Sequence, residues 1–234
     1  MLKELKSYKK RARMKRKIVL LTLGTAFIIA LLLLATLFVQ TVGNHEYATR
    51  VACVGDSITL GTGYTIDLWQ QLGPNYVVGN FGVGGATVSL ESNSSYMNQT
   101  AFQVAELFEP NIVIIMLGTN DANANLTQSS AAFASDYIKL INAFQELASK
   151  PKVWIAEPPP IYNNSADLSS ELLTQKVIPG IQQAAAQTHL PLIDANTPLV
   201  NQPSKFLDGV HPNSVGAQTI AKTIYHALTS QNGK

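Results

Sequence analysis

Cysteine is almost missing from this sequence: Cys53 is the only one among 234 residues. No disulfide can form within the chain, and the paired cysteines of a structural zinc site are absent. Cys53 lies in an apolar run, where it reads as a small buried hydrophobe rather than a reactive thiol. Acidic charge is missing from the first 17 residues apart from Glu4, against nine lysines and arginines. That end carries a net +8, while the remainder, with eight basic and 14 acidic residues, carries −6. Charge of either sign is missing from residues 18–39, "IVLLTLGTAFIIALLLLATLFV". As a helix this run would be about 33 Å long, enough to cross a hydrocarbon core of about 30 Å. A basic tail beside such a span predicts a cytoplasmic N-terminus and speaks against a nucleic-acid partner.

The expected organisation is a basic tail over 1–17, a transmembrane signal-anchor helix over 18–39, a linker over 40–49 and one domain over 50–230 outside the cytoplasm. A cleaved signal peptide, giving a secreted domain, is the alternative. The apolar run exceeds the usual core of about 7–15 residues, and "VQTVGNHEYA" is a poor cleavage site.

Past residue 50 there is no internal repeat. Short Val- and Ile-rich runs at 50–54, 76–80, 112–117, 153–157 and 192–194 read as buried strands. Longer amphipathic stretches at 65–72, 100–108, 129–149, 169–188 and 214–230 read as helices. In the third, Phe133, Tyr137, Leu140, Ile141, Phe144 and Leu147 recur at spacings of three and four. Ser129 or Ser130 is positioned to cap its start. This alternation predicts an α/β fold: a five-stranded parallel sheet, doubly wound into three layers. Such sheets bind ligands beyond the carboxyl ends of their strands.

Four motifs fall on that edge: "GDSIT" after the first strand, "NFGVGGAT" after the second, "LGTND" after the third and "DGVHPN" near the C-terminus. Singly each is an ordinary turn. Together they supply a nucleophile, backbone donors, an amide, an acid and a base. The sequence resembles the GDSL/SGNH hydrolase family of serine esterases and lipases, named for Ser, Gly, Asn and His in four ordered blocks. The resemblance runs from Val51 to about Tyr225 and implies a flavodoxin-like fold. It places the four residues at Ser57, Gly82, Asn120 and His211, with Ile58 where the family name has Leu.

Chemistry agrees with these assignments. A serine hydroxyl needs a base to take its proton. His211 is the candidate base and Asp208, at D-x-x-H spacing, the candidate acid that orients it. Asp194 also follows a strand, but the D-x-x-H spacing favours Asp208. The oxyanion would meet the N–H groups of Ser57 and Gly82 and the amide of Asn120. Asp56 is expected to fix the turn. The α/β-hydrolase elbow G-x-S-x-G fits poorly, because position 59 is Thr. No cofactor or metal is implied.

The stiff "AEPPPIYNNS" loop after the fourth strand puts Ile161 and Tyr162 forward as substrate-binding residues. It looks like loops of the family's carbohydrate acetylesterases. The expected function is a serine esterase acting on short acyl esters of a carbohydrate or cell-surface polymer. Thioesterase or lysophospholipase activity, acyl transfer and a non-catalytic binding module stay open as alternatives.

Overall fold

The computed structural model describes residues 1, 14–15, 24–25, 28–34, 48–126 and 128–230. The chain divides into two units, Met1–Tyr47 and Ala48–Lys234. In the first, residues 28–34 are helical, with exposed side chains at Ile28, Ile29, Leu32 and Leu33. Most of the expected basic tail, the 18–39 span and the linker lies outside the described residues. Among the described residues, no helix is long and apolar enough to cross a membrane.

The second unit is built on a sheet of five strands: β1 (Thr49–Gly55), β2 (Tyr76–Gly82), β3 (Ile112–Met116), β4 (Lys152–Ala156) and β5 (Leu192–Ile193). All neighbours pair in parallel, in the order β2-β1-β3-β4-β5. This is the flavodoxin-like order, whose direction of winding reverses between β1 and β3. The carboxyl ends of those two strands therefore open a crevice, and the registers pair Gly55 of β1 with Gly82 of β2 and with Met116 of β3.

The helices are α1 (Ser57–Gly61), α2 (Tyr64–Leu72), α3 (Thr100–Leu107), α4 (Ser130–Gln145), α5 (Ser170–Leu172), α6 (Ile178–Thr188) and α7 (Ser214–Ser230). The period-two geometry of a strand sends alternate side chains to opposite faces. Ala52, Val54, Val113 and Ile115 face Phe102, Phe133, Tyr137, Phe144 and Ile181 on one side. Val51, Cys53, Ile114 and Met116 face Tyr64, Leu68, Ile220 and Ile224 on the other. Both faces are dry, so the strands read as continuous apolar runs.

Two elements differ from expectation. The stretch read as one helix over 169–188 is interrupted by a π-helical turn at Leu173–Val177. That turn seats Val177 against Gly118, where a φ of 124° folds the loop after β3. The short helix α1 was not expected, because five residues are too few to carry a period.

Candidate active site

Ser57 is the first residue of α1. Asp56 caps that helix, its Oδ1 accepting the Ile58 N–H at 2.9 Å. The strand thus ends in a turn that holds the serine at a helix N-terminus, where first-turn N–H groups have no intrahelical acceptor. The Ser57 N–H therefore points outward at the edge where its hydroxyl sits.

His211 reaches this hydroxyl from the far end of the sequence. Its Nε2 lies 2.9 Å from Ser57 Oγ, and its Nδ1 lies 2.7 Å from Asp208 Oδ2. The other Asp208 oxygen accepts the N–H groups of Val210 and His211 at 3.0 and 2.8 Å. A Leu207 N–H bond to the His211 carbonyl at 2.8 Å closes the same turn. Asn213 then caps α7, accepting from Val215 and Gly216 at 3.0 and 3.2 Å. These bonds hold the Asp208 carboxyl down to a pKa of about 2 although burial opposes it, the His211 backbone N–H and side chain contributing most. The carboxylate is therefore ionised throughout the neutral range.

Asn120 stands in the loop after β3, its Nδ2 donating to the Ala86 carbonyl at 2.9 Å. One amide hydrogen is used there, and the other is available. Asp121 next to it is buried and accepts the Val88 and Ser89 N–H groups, both at 2.9 Å. Asn120 and Asp121 thus tie the loop after β3 to the loop after β2.

Gly82 is not brought into the site as expected. Its N–H donates to Asn80 Oδ1 at 3.0 Å, so the donor is occupied. A Cβ there would collide with the Leu60 backbone nitrogen and lie 2.8 Å from the Asp56 carbonyl. Gly82 lets β2 pass close to α1, which is a packing role. The motif's third glycine, Gly85, keeps a free donor. It has a φ of 74°, open space around its α-carbon and an N–H that makes no bond among the described residues. Gly85 and Asn120 line one cavity of about 300 Å³. Sequence reading missed Gly85 because "GVGG" offers three glycines and only the backbone geometry separates them.

Ile161 is also not where it was expected to act. It is 2 % exposed and packed in the core, so it cannot touch a substrate. Tyr162 is half-buried: its hydroxyl donates to the Leu199 carbonyl at 2.6 Å and accepts the Gln202 N–H at 2.9 Å. Its ring packs at 4.9 Å on Phe206, and it borders a second cavity of about 810 Å³ beside Asp208. Asp194 is taken up by the N–H groups of Asn196 and Thr197, away from His211.

Two carboxyls lie buried behind the serine. Burial raises both Asp56 and Asp121 to a pKa of about 6, against the N–H donors that lower them. Asp56 Oδ2 and Thr119 Oγ1 are buried without a well-formed hydrogen bond of their own. No group of His, Cys, Asp and Glu suited to a metal ion occurs among the described residues.

A serine in line with an imidazole and a carboxylate, beside open N–H groups at a strand edge, is an arrangement for acyl transfer. The sequence model of the GDSL-like Lipase/Acylhydrolase family matches residues 53–219. The chain belongs to this family. A curated relative, an acetylxylan esterase from Xylanibacter ruminicola, is 34 % identical over 209 residues. The match covers 78 % of this chain and 44 % of that protein, so the chain spans less than half the relative's length. Among solved structures, a carbohydrate acetylesterase family member from Sinorhizobium meliloti superposes with a TM-score of 0.63 at 18 % identity, over 80 % of this chain and 100 % of that one. The aryl esterase of M. smegmatis superposes with a TM-score of 0.63 at 20 % identity, over 78 % and 99 %. At such identities the likeness establishes the fold of this family member and no more.

Proposed function

We propose that this chain is a serine esterase that removes short acyl groups, acetyl first, from a carbohydrate polymer. The observation that carries the reading is the continuous line Asp208–His211–Ser57, with contacts of 2.7 and 2.9 Å. In this reading His211 Nε2 takes the Ser57 proton as Oγ attacks the ester carbonyl. The Ser57 and Gly85 N–H groups and the free Asn120 amide hydrogen meet the oxyanion, each donor worth about 3 kcal/mol of barrier. His211 returns the proton to the leaving alcohol, and water enters by the same route to release the acid. Asp208 keeps the imidazole in one tautomer and balances its charge.

The cavity beside Gly85 and Asn120 supports a short acyl group. Polar Thr87, Ser92, Ser94, Asn123 and Asn125 line it together with Leu126, Ala166 and Leu168, and its volume of about 300 Å³ suits a small acyl group better than a fatty chain. The acetylxylan esterase relative supports the same substrate class. The test is acetate release from acetylated xylan beside a series of nitrophenyl esters. The expected result is release of acetate and a fall in kcat/KM of more than tenfold from acetyl to octanoyl. Preference for the longer esters would overturn the short-acyl reading.

The uncharged 18–39 run beside nine basic residues supports a membrane tether, with the catalytic unit outside the cytoplasm. Protease added to sealed protoplasts should then reach the catalytic unit. Protection until lysis would reverse the orientation, and a mature N-terminus near residues 40–50 would show secretion instead.

A further inference from the structure

We propose that the cavity beside Asp208 is a subsite for a neighbouring sugar ring on the leaving-group side, so that the enzyme reads an oligosaccharide rather than a single acetylated sugar. The inference rests on the esterase reading above and extends it. His211 Nε2 gives its proton to the leaving oxygen, so the alcohol part of the ester must stand on the imidazole side of Ser57. The oxyanion donors and the smaller cavity stand at Gly85 and Asn120. The larger cavity, about 810 Å³, stands at Asp208 and Gly209, just before His211 in the chain. It is large enough for a ligand of several rings.

Its lining has the chemistry of a sugar platform. Half-buried Tyr162 packs edge-to-face on the buried Phe206, and Asn163 and Ser165 offer an exposed amide and hydroxyl beside it. Leu207 is 76 % exposed. The bond from its N–H to the His211 carbonyl fixes the turn that holds it out, so it cannot retreat without disturbing the catalytic loop. Apolar ring faces against aromatic and aliphatic carbon, with hydroxyls at an amide rim, describe a neutral pyranose. Among the described residues that line it, Asp208 is the one charged group and is already engaged by His211, so a uronic acid or a phosphorylated headgroup finds no cationic partner there.

One loop walls both cavities. Residues 162–165 line the larger, while Ala166 and Leu168 line the smaller. The loop is anchored at one end by Tyr162 N–H to the Gly209 carbonyl at 2.7 Å, and at the other by Ser169 N–H to the Ala122 carbonyl at 2.8 Å. Gly209 has a φ of 85°, and a Cβ there would collide with the Asn163 carbonyl. An ester held along this wall would set its acyl group toward the smaller cavity and its sugar part in the larger one.

Two measurements on the full chain test this. In the first, kcat/KM is compared for singly acetylated xylose, singly acetylated xylotetraose and 4-nitrophenyl acetate, in wild type, Leu207→Ser and Asn163→Ala. The expected wild-type preference for the tetrasaccharide over the monosaccharide ester is at least tenfold. Each variant should reduce that preference severalfold, mainly through KM. Equal kcat/KM on both sugar esters, with nitrophenyl acetate turned over, would overturn the subsite and leave the esterase standing. Equal losses on all three esters would mark the two residues as structural and also overturn it. In the second, xylotetraose is titrated into Ser57→Ala by calorimetry, which needs no turnover. Binding at least tenfold weaker in Ser57→Ala/Leu207→Ser supports the subsite, and no binding to either protein overturns it. Failure of the esterase reading has its own signature: no hydrolysis of any ester by wild type.

Discussion

At the residue scale, two glycines three positions apart differ in what they leave free. Gly82 gives β2 room to pass Leu60 and Asp56, and its N–H is held by Asn80. Gly85 stands in open space at positive φ with its N–H unused. Gly82→Ala should therefore lower Tm by several degrees, because backbone atoms must shift to admit the methyl group. Gly85→Ala should cost only about 1 kcal/mol of stability through its left-handed φ. It should nonetheless lower kcat at least tenfold as the oxyanion donor turns away. Thermal melts and kinetics on the two variants check this, and the reverse pattern would return the donor role to Gly82. The contact line Ser57–His211–Asp208 was legible in the sequence, because each residue sits in a short motif whose spacing has a chemical reason. The sequence could not separate the three glycines, since φ and hydrogen-bond use are not written in composition. Ile161 was misplaced for a similar reason. An apolar residue after a Pro run reads alike whether it faces a ligand or the core.

At the element scale, the strands were legible to within one or two residues, because a sheet buried on both faces demands unbroken apolar runs. Helices were legible too, α2 and α3 to within one residue and α4 at its start, because each carries an apolar stripe. The short α1 and the π-helical turn were not, because five residues are too few to carry a period and the turn follows its packing against Gly118. Irregular loops were the least legible, and here one loop walls both cavities. Asn164 closes the 162–168 loop from within. Its Nδ2 donates to the Tyr162 and Leu168 carbonyls, both at 2.9 Å, and its Oδ1 accepts from Ala166 and Leu168 at 2.9 and 3.3 Å. The same loop holds Asp167 at a φ of 54°, a conformation that needs such support. Asn164→Ala should cost about 1–3 kcal/mol. It should raise KM for sugar acetates more than for nitrophenyl acetate, since the loop walls both cavities. An equal change on both substrates would count against the loop as a substrate wall.

At the scale of the whole molecule, the buried carboxyls set a pH dependence of stability. Asp56 and Asp121 rise from 3.8 to about 6 on folding, so the native state holds protons that the unfolded state has released. Between about pH 4 and 6 the unfolded chain thus binds fewer protons, and stability falls as pH rises through that window. For Asp56 the rise corresponds to roughly 3 kcal/mol against the ionised form. Asn at position 56 keeps the bond to the Ile58 N–H and carries no charge. Asp56→Asn should therefore gain on wild type in Tm as pH goes from 4 to 7, whatever its offset at pH 4. A difference that does not change with pH would contradict this. The catalytic claim gathers residues from both ends of the sequence, Ser57 and His211, into one reacting unit. Its most direct test is labelling of the full chain by an alkyl phosphonate, with the modified peptide identified by mass spectrometry. The account predicts the label on Ser57 alone in wild type, and its loss in His211→Ala. A label on any other serine, or undiminished labelling of His211→Ala, would contradict it.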